Sequence, residues 1–269
     1  MLSLNEQRRI KAQYGTWALV TGASSGIGLA IAEELAAAGI HLVLNARNKE
    51  QLFLVKKELE QRHRAEVKII AADISTADGI DTLIRETQQL SIGLLVASAG
   101  YGTSGLFIDA SLHKEINMLR INCEAVLALT HHYSQQFVQR KRGGIILLSS
   151  IVAFQGVPYA AHYAATKAYI QTLAEGLAVE LKPSGVDVLS AAPGPVESGF
   201  GKRANMQMYM SLQPQQIAAP ILKALGRSNH VVPGALSKLL VYSLRTAPRW
   251  AKIKIMEKIM GRMTLHQRK

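Results

Sequence analysis

Trp17-Ala18-Leu19-Val20-Thr21-Gly22-Ala23-Ser24-Ser25-Gly26-Ile27-Gly28 passes from an apolar, β-like run into a glycine turn, and the helix-forming Leu29–Ala38 follows at once. A glycine-rich turn between a strand and a helix lets the backbone approach a phosphate. It also aims the helix N-terminus at that phosphate, where free N–H groups and the dipole favour an anion. The spacing is Gly-x-x-x-Gly-x-Gly rather than the commoner Gly-x-Gly-x-x-Gly. Glycine turns are widespread, so the flanking strand and helix carry the reading.

Outward from this turn the same alternation repeats. His41–Ala46 reads as a second strand, Gln51–Arg62 as an amphipathic helix, and Val67–Ala71 as a third strand ending at Asp73-Ile74. Asp78–Leu90 is helical, Ile92–Ser98 is a fourth strand, and a long helix is expected over Lys114–Arg140. Gly143–Ser150, His162–Leu181, Val186–Ala192, Pro214–Gly226 and His230–Val232 continue as strand, helix, strand, helix and a short last strand. Such alternation implies an α/β chain with one doubly wound, Rossmann-type parallel sheet of about seven strands, and helices on both faces. Residues 1–15 read as an N-terminal extension, 16–234 as one dinucleotide-binding catalytic domain, and 235–269 as a basic amphipathic C-terminal extension.

Composition narrows the partners. The chain has 269 residues, 48% of them hydrophobic, which is ample for a core. The single cysteine, Cys123, excludes an internal disulfide framework and a cysteine-rich metal site, and it suits a reducing cytosol. The adjacent His131 and His132 point in different directions on a helix, and nothing suggests a metal. No apolar segment is long enough to span a membrane. A net charge of +12 points to anionic small molecules, an acidic membrane surface or nucleic acid. Aromatics make up only 6%, which argues against a nucleic-acid surface of interleaved basic and aromatic residues.

In a right-handed βαβ unit the end of the second strand lies beside the first glycine turn, next to an adenosine ribose. Ala46 and Arg47 stand there in place of a ribose-binding acid. A guanidinium matches a phosphate with two parallel hydrogen bonds, so Arg47 argues for NADP(H) over NAD(H); the plainer alternative is a solvated loop arginine. Farther along, Tyr163 and Lys167 are four apart on one helix face. A free tyrosine has a pKa near 10, and a neighbouring ammonium lowers it. Reaching about 7 takes roughly 4 kcal/mol of differential stabilisation. Ser150 ends an apolar run with a hydroxyl that can hold a carbonyl oxygen. Asn122 sits amid apolar residues in the long helix, where an amide is either a satisfied core group or the cause of a kink that holds water.

Taken together, these motifs closely resemble the short-chain dehydrogenase/reductase family over about Thr16 to Pro233. The family's Thr-Gly-x-x-x-Gly-x-Gly matches Thr21, Gly22, Gly26 and Gly28. Its serine stands thirteen residues before its tyrosine, as Ser150 does before Tyr163, and its Tyr-x-x-x-Lys matches Tyr163 and Lys167. Asn122 falls at its helix asparagine, and Pro193-Gly194 at its nicotinamide loop. The resemblance implies that Tyr163 is the general acid or base and that Ser150 polarises the carbonyl. It further implies that Lys167 binds the nicotinamide ribose and that Asn122 holds a proton-relaying water. Gly22, Ser24, Ser25, Gly26, Ile27 and Gly28 would cradle the phosphates, Asp73 and Ile74 border the adenine, Ala99 and Gly100 pass close to the cofactor, and Val196 and Ser198 meet the carboxamide. Two departures stand out. Ala97-Ser98-Ala99-Gly100 replaces Asn-Asn-Ala-Gly, and Ser25 stands where NADP members often place a second basic residue, leaving Arg47 to act largely alone.

The expected activity is NADP(H)-dependent interconversion of a carbonyl and a secondary alcohol on a hydrophobic substrate in the cytoplasm. Tyr101–Phe107, Ser150–Tyr159 and Glu197–Met210 would bound the pocket, with Phe107, Phe154, Val157, Tyr159 and Phe200 as apolar walls. The alternative is a cofactor-binding regulatory or scaffold protein with little turnover. Trp250, Ile253, Met256, Met260 and Met263 recur on one helix face beside Lys254, Lys258 and Arg262, so this extension can be a lid, a packing helix or a peripheral contact with an anionic membrane. A homodimer or homotetramer is expected through the two long helices.

Overall fold

Strands buried on both faces need continuous apolar runs, and the runs read from the sequence become the sheet. The computed structural model describes residues 1–267. Helix α1 (Leu4–Tyr14) precedes β1 (Trp17–Thr21), which leads into α2 (Gly26–Ala37). Alternation continues through β2 (His41–Ala46), α3 (Lys49–Arg62), β3 (Val67–Ala71), α4 (Ala77–Thr87) and β4 (Ile92–Ala97). Then come α5 (Leu112–Leu119), α6 (Ala125–Arg140), β5 (Gly143–Leu148), α7 (Ala161–Glu180) and β6 (Val186–Ala191). The remaining elements are α8 (Phe200–Arg203), α9 (Pro214–Ala224), β7 (His230–Val231), α10 (Ala235–Ser243) and α11 (Arg249–Met263).

The seven strands lie in the order β3-β2-β1-β4-β5-β6-β7, all parallel. Val20 of β1 pairs with Leu44 on one side and Val96 on the other. The order reverses between β1 and β4, which opens a crevice at the carboxyl ends of the strands. One face of the sheet is covered by residues such as Ile31, Leu35 and Leu222, the other by Leu83, Leu129, Phe137 and Ile170.

Two local findings refine the sequence reading. The helix expected over Lys114–Arg140 is broken by a π-helical turn at Arg120–Glu124, between α5 and α6. Asn122 lies in that turn, and π-bulges recur where a helix gives up regularity to aim a side chain. At the N-terminus, residues 1–15 carry α1, capped by the Ser3 hydroxyl accepting from the Glu6 N–H. Ile10 and Tyr14 are fully buried, Tyr14 donates to Asp187 Oδ2 at 3.0 Å, and Arg9 donates to the Leu222 and Leu225 carbonyls. The first fifteen residues are therefore knit into the sheet layers.

Met256, Met260 and Met263 of α11 turn inward and pack with Met206, Tyr101 and Tyr163, while Trp250 stays 70% exposed. The methionines of the amphipathic stripe are thus consumed by packing. The cap is pinned beyond α11: Gln207 N–H donates to the Met263 carbonyl at 2.9 Å, and Gln267 Nε2 donates to Ser104 Oγ at 2.9 Å. Residues 268–269 of the expected extension lie outside the described residues. No helix among the described residues is long and apolar enough to cross a membrane.

Candidate active site

At the end of β1 the chain must leave the sheet beside the end of β4. Gly22 turns there with φ 66°, and a Cβ on it would lie 2.8 Å from Ala99 Cα. A Cβ on Gly28 would lie 2.5 Å from the Gly22 carbonyl oxygen, so α2 begins in contact with the turn itself. Ser25 makes no side-chain cap for α2, leaving the first-turn N–H groups available to an anion. Thr21 Oγ1 accepts from the Ala99 N–H at 3.1 Å, and this bond braces β1 against β4. Ser98 faces Gly28 instead, its Oγ 3.2 Å from where a Cβ would sit.

Beyond β2, Arg47 Nη1 stands 4.0 Å from Asp73 Oδ2, with both side chains about half exposed. Between them Asn45, fully buried, donates to the Ile70 and Ala72 carbonyls at 3.0 and 3.1 Å and ties the ends of β2 and β3 together. The sequence reading passed over Asn45; its signal was an amide inside an otherwise apolar strand.

The tip of β5 supplies Ser150. Its hydroxyl donates to the Pro193 carbonyl at 3.4 Å and accepts from the Val152 N–H at 3.4 Å. Opposite it, the first turns of α7 supply Tyr163 and Lys167, both buried. Burial pushes the Tyr163 phenol up to about 12, and a hydrogen bond with Ser150 works against that rise. Burial brings Lys167 down to about 8. Lys167 was expected to pull Tyr163 toward 7. Here its ammonium lies 6.0 Å from the ring centre and donates to the Leu148 carbonyl at 2.7 Å, so desolvation wins.

Asn122 stands behind this group, fully satisfied. Its amide accepts from the Tyr101 N–H at 3.2 Å and donates to the Tyr101 carbonyl at 2.9 Å and to Thr166 Oγ1 at 3.0 Å. It therefore clamps the loop after β4 to α7. Gly100 is wedged between them, where a Cβ would lie 2.9 Å from Asn122 Oδ1 and 3.6 Å from Lys167 Nζ.

One cavity of about 990 Å³ joins these parts. Every cofactor-contact residue named from the sequence, from Gly22 through Ser198, lines it, as do Ser150, Tyr163 and Lys167; Asn122 does not. Its far wall is apolar: Phe200, Met206, Met208, Met256, Ile259 and Met260. The Phe200 ring lies 5.3 Å from that of Tyr163. Four expected apolar walls are elsewhere. Phe107 is 64% exposed, and Phe154 packs edge-on against His230 beside a smaller cavity of about 450 Å³. Val157 and Tyr159 lie in the packing beneath the cap. His162, next to Tyr163 in sequence, places Nδ1 2.7 Å from Glu115 Oε2. Leu236, Ser237 and Leu240 of α10 also line the cavity and were not foreseen, because the C-terminal segment carries no motif that fixes where it returns.

A glycine turn at the switch point and a Ser–Tyr–Lys group under an apolar cap define an NAD(P)-binding oxidoreductase. The family model described as short chain dehydrogenase matches residues 16–208. The chain belongs to the short-chain dehydrogenase family and acts on CH–OH and C=O groups. It is similar to the 7beta-hydroxysteroid dehydrogenase of Clostridium sardiniense, 34% identical over 184 residues that cover 68% of this chain and 70% of that one. A solved 7beta-hydroxysteroid dehydrogenase aligns with TM-score 0.85 at 26% identity, over 92% of this chain and 98% of its own. A short-chain dehydrogenase from Sphingobium yanoikuyae, solved in complex with NADPH, aligns with TM-score 0.78 at 27% identity, over 91% and 94%.

Proposed function

We propose that the protein is an NADP(H)-dependent dehydrogenase of bulky apolar secondary alcohols and their ketones, with polycyclic steroid-like compounds as the substrate class. The observation that carries this reading is the single cavity in which Ser150, Tyr163 and Lys167 stand between the glycine turn and the methionine-rich cap. Arg47 after β2 supports NADP, because a guanidinium there can pair with a 2′-phosphate. The apolar wall and the hydroxysteroid relatives support the substrate class.

The dinucleotide, when bound, supplies or accepts the hydride. The glycine turn and the free N–H groups of α2 would hold its phosphates, with Asp73 and Ile74 at the adenine and Pro193, Gly194, Val196 and Ser198 at the nicotinamide. Ser150 Oγ would orient the carbonyl oxygen. Tyr163, protonated at neutral pH because burial holds its pKa near 12, would donate its proton to that oxygen. Lys167, still mostly charged at pH 7 with a pKa near 8, would hold the ribose hydroxyls and stabilise the phenolate left behind. Asn122 would keep Tyr101, Gly100 and α7 in register.

Exposed Leu112, Ile116, Leu119 and Leu127 on α5 and α6 support association of two copies through these helices. The test of the main reading is steady-state reduction of bulky cyclic ketones with NADPH and with NADH. NADPH should be preferred, and Tyr163→Phe should lower kcat by about 10²–10⁴-fold without loss of cofactor binding. Wild-type turnover that survives in Tyr163→Phe, or a preference for NADH, would overturn it.

A further inference from the structure

We infer that Arg203, carried by α8 beside the cap, is a second guanidinium for the cofactor's 2′-phosphate, shared with Arg47, so that the cap closes on NADP as well as on substrate. This deepens the NADP reading above and rests on it.

The glycine turn offers serine at 25, where a second cation would ordinarily stand beside Arg47, and so the turn supplies no partner for it. Arg203 lines the same cavity as Arg47, close enough for the two charges to act on each other. Its guanidinium carbon lies 4.4 Å from the centre of the Tyr101 ring. That ring is itself held, its hydroxyl bonded to the Lys114 carbonyl at 2.8 Å and to Asn117 Oδ1 at 2.9 Å. A stack on a fixed ring holds the guanidinium plane in place but uses none of its five N–H donors. Among the described residues the Arg203 guanidinium makes no ion pair and donates no hydrogen bond, whereas those of Arg9, Arg140 and Arg142 all donate to backbone carbonyls.

The charges acting on Arg203 make the same point. Burial first, and the like charge of Arg47 second, disfavour its protonated form, while Tyr101 and then Asp73 favour it. Asp73 is the carboxylate that Arg47 also faces, at 4.0 Å. Two guanidiniums thus share one half-exposed carboxylate, and the uncompensated positive charge faces a cavity that takes a dinucleotide. A dianionic phosphate between two planar forks satisfies both with parallel, charge-assisted bonds.

The short helix α8 gives this arrangement a consequence. Phe200, three residues before Arg203, packs on the Tyr163 ring. A phosphate that draws Arg203 inward therefore also seats Phe200 over the catalytic phenol. NADP and the apolar substrate would close the same turn from its two ends.

The test is fluorescence titration of the full-length protein with NADPH and NADH, for wild type, Arg203→Ala, Arg203→Lys and Arg47→Ala, with folding of each checked by thermal unfolding. Arg203→Ala should weaken NADPH about tenfold and leave NADH within about twofold, as expected for loss of one charge-assisted contact to phosphate. Arg203→Lys should recover part of the loss, and adenosine 2′,5′-bisphosphate should follow NADPH while 5′-AMP follows NADH. Equal weakening of both cofactors, or no change in either, overturns the inference. Should Arg47→Ala be selective for NADPH while Arg203→Ala is silent, Arg203 alone is wrong. Should wild type show no preference for NADPH and Arg47→Ala be silent, the NADP reading itself falls.

Discussion

The glycine turn and the C-terminal cap face each other across one cavity, and they are built by opposite rules. At the turn, backbone meets backbone: Gly22 against Ala99, Gly28 against the Gly22 carbonyl, with no side chain to yield. In the cap, Met206, Met256, Met260 and Met263 meet one another through flexible thioethers. In the function proposed above, the first surface would recognise a constant ligand, a dinucleotide phosphate, and gain from rigidity. The second would face the variable part of the chemistry, where methionine suits a large apolar body without a unique mould.

The greatest difference should appear when one side chain is changed on each surface, by adding a methyl group at the turn and by reshaping a methionine in the cap. Gly28→Ala places its Cβ 2.5 Å from the Gly22 carbonyl oxygen, so the turn must open. Overpacking of this kind costs about 1–3 kcal/mol of stability, and here it also displaces the N–H groups that hold phosphate. NADPH binding measured by titration should fall below detection, whereas Met260→Ile in the cap should bind NADPH as wild type does. A Gly28→Ala protein with intact affinity would show that the turn is softer than its contacts indicate.

A smaller effect separates substrate from cofactor. Truncating Met260 to alanine strips about 2 kcal/mol of apolar contact, at roughly 0.8 kcal/mol per methylene-sized group. The KM for a bulky ketone should rise by up to about thirtyfold while kcat and the NADPH dissociation constant hold. If both ligands weakened together, the cap would be a general structural brace and the division between the two surfaces would dissolve.

The same contrast explains what could be read from the chain. Strands β1, β2, β4, β5 and β6 were legible because parallel strands buried on both faces are largely apolar runs, and the glycine turn because its chemistry is local. Tyr163, Lys167 and Ser150 share a short stretch and a short-range geometry. Asn45 was missed because only its partners, the carbonyls at Ile70 and Ala72, reveal its purpose. Phe107 and Phe154 were assigned to the pocket on type alone, but hydrophobic character says nothing about which way a loop turns. The inward face of α11 was visible as a stripe, yet its target depends on contacts such as Gln207 with Met263, more than fifty residues apart. Residues 1–15 were read only as an N-terminal extension, because the burial of Ile10 and Tyr14 depends on distant partners such as Asp187.

The subtlest expected effect concerns Lys167, the charged group sealed into the rigid side of the cavity. Its pKa of about 8 lies below the ordinary 10.5, because burial disfavours the ammonium. Between these values the unfolded chain binds more protons than the folded one, so stability rises with pH; below 8 the penalty is fully present. Cys123, raised by burial to about 11 from 9.0, begins to pull stability down as pH approaches 9, and Tyr163 does the same nearer 10. Between pH 8 and 9 the lysine is the larger contributor, adding about 1 kcal/mol, of which Cys123 offsets roughly a third. Urea unfolding at the two pH values should show that gain in wild type and in Met260→Ala, since the cap buries no such group among its methionines. Lys167→Met should lose it. A variant slope equal to that of wild type would mean that the ammonium is better solvated than its contact with the Leu148 carbonyl implies, and that the two walls of the cavity differ less in rigidity than their packing suggests.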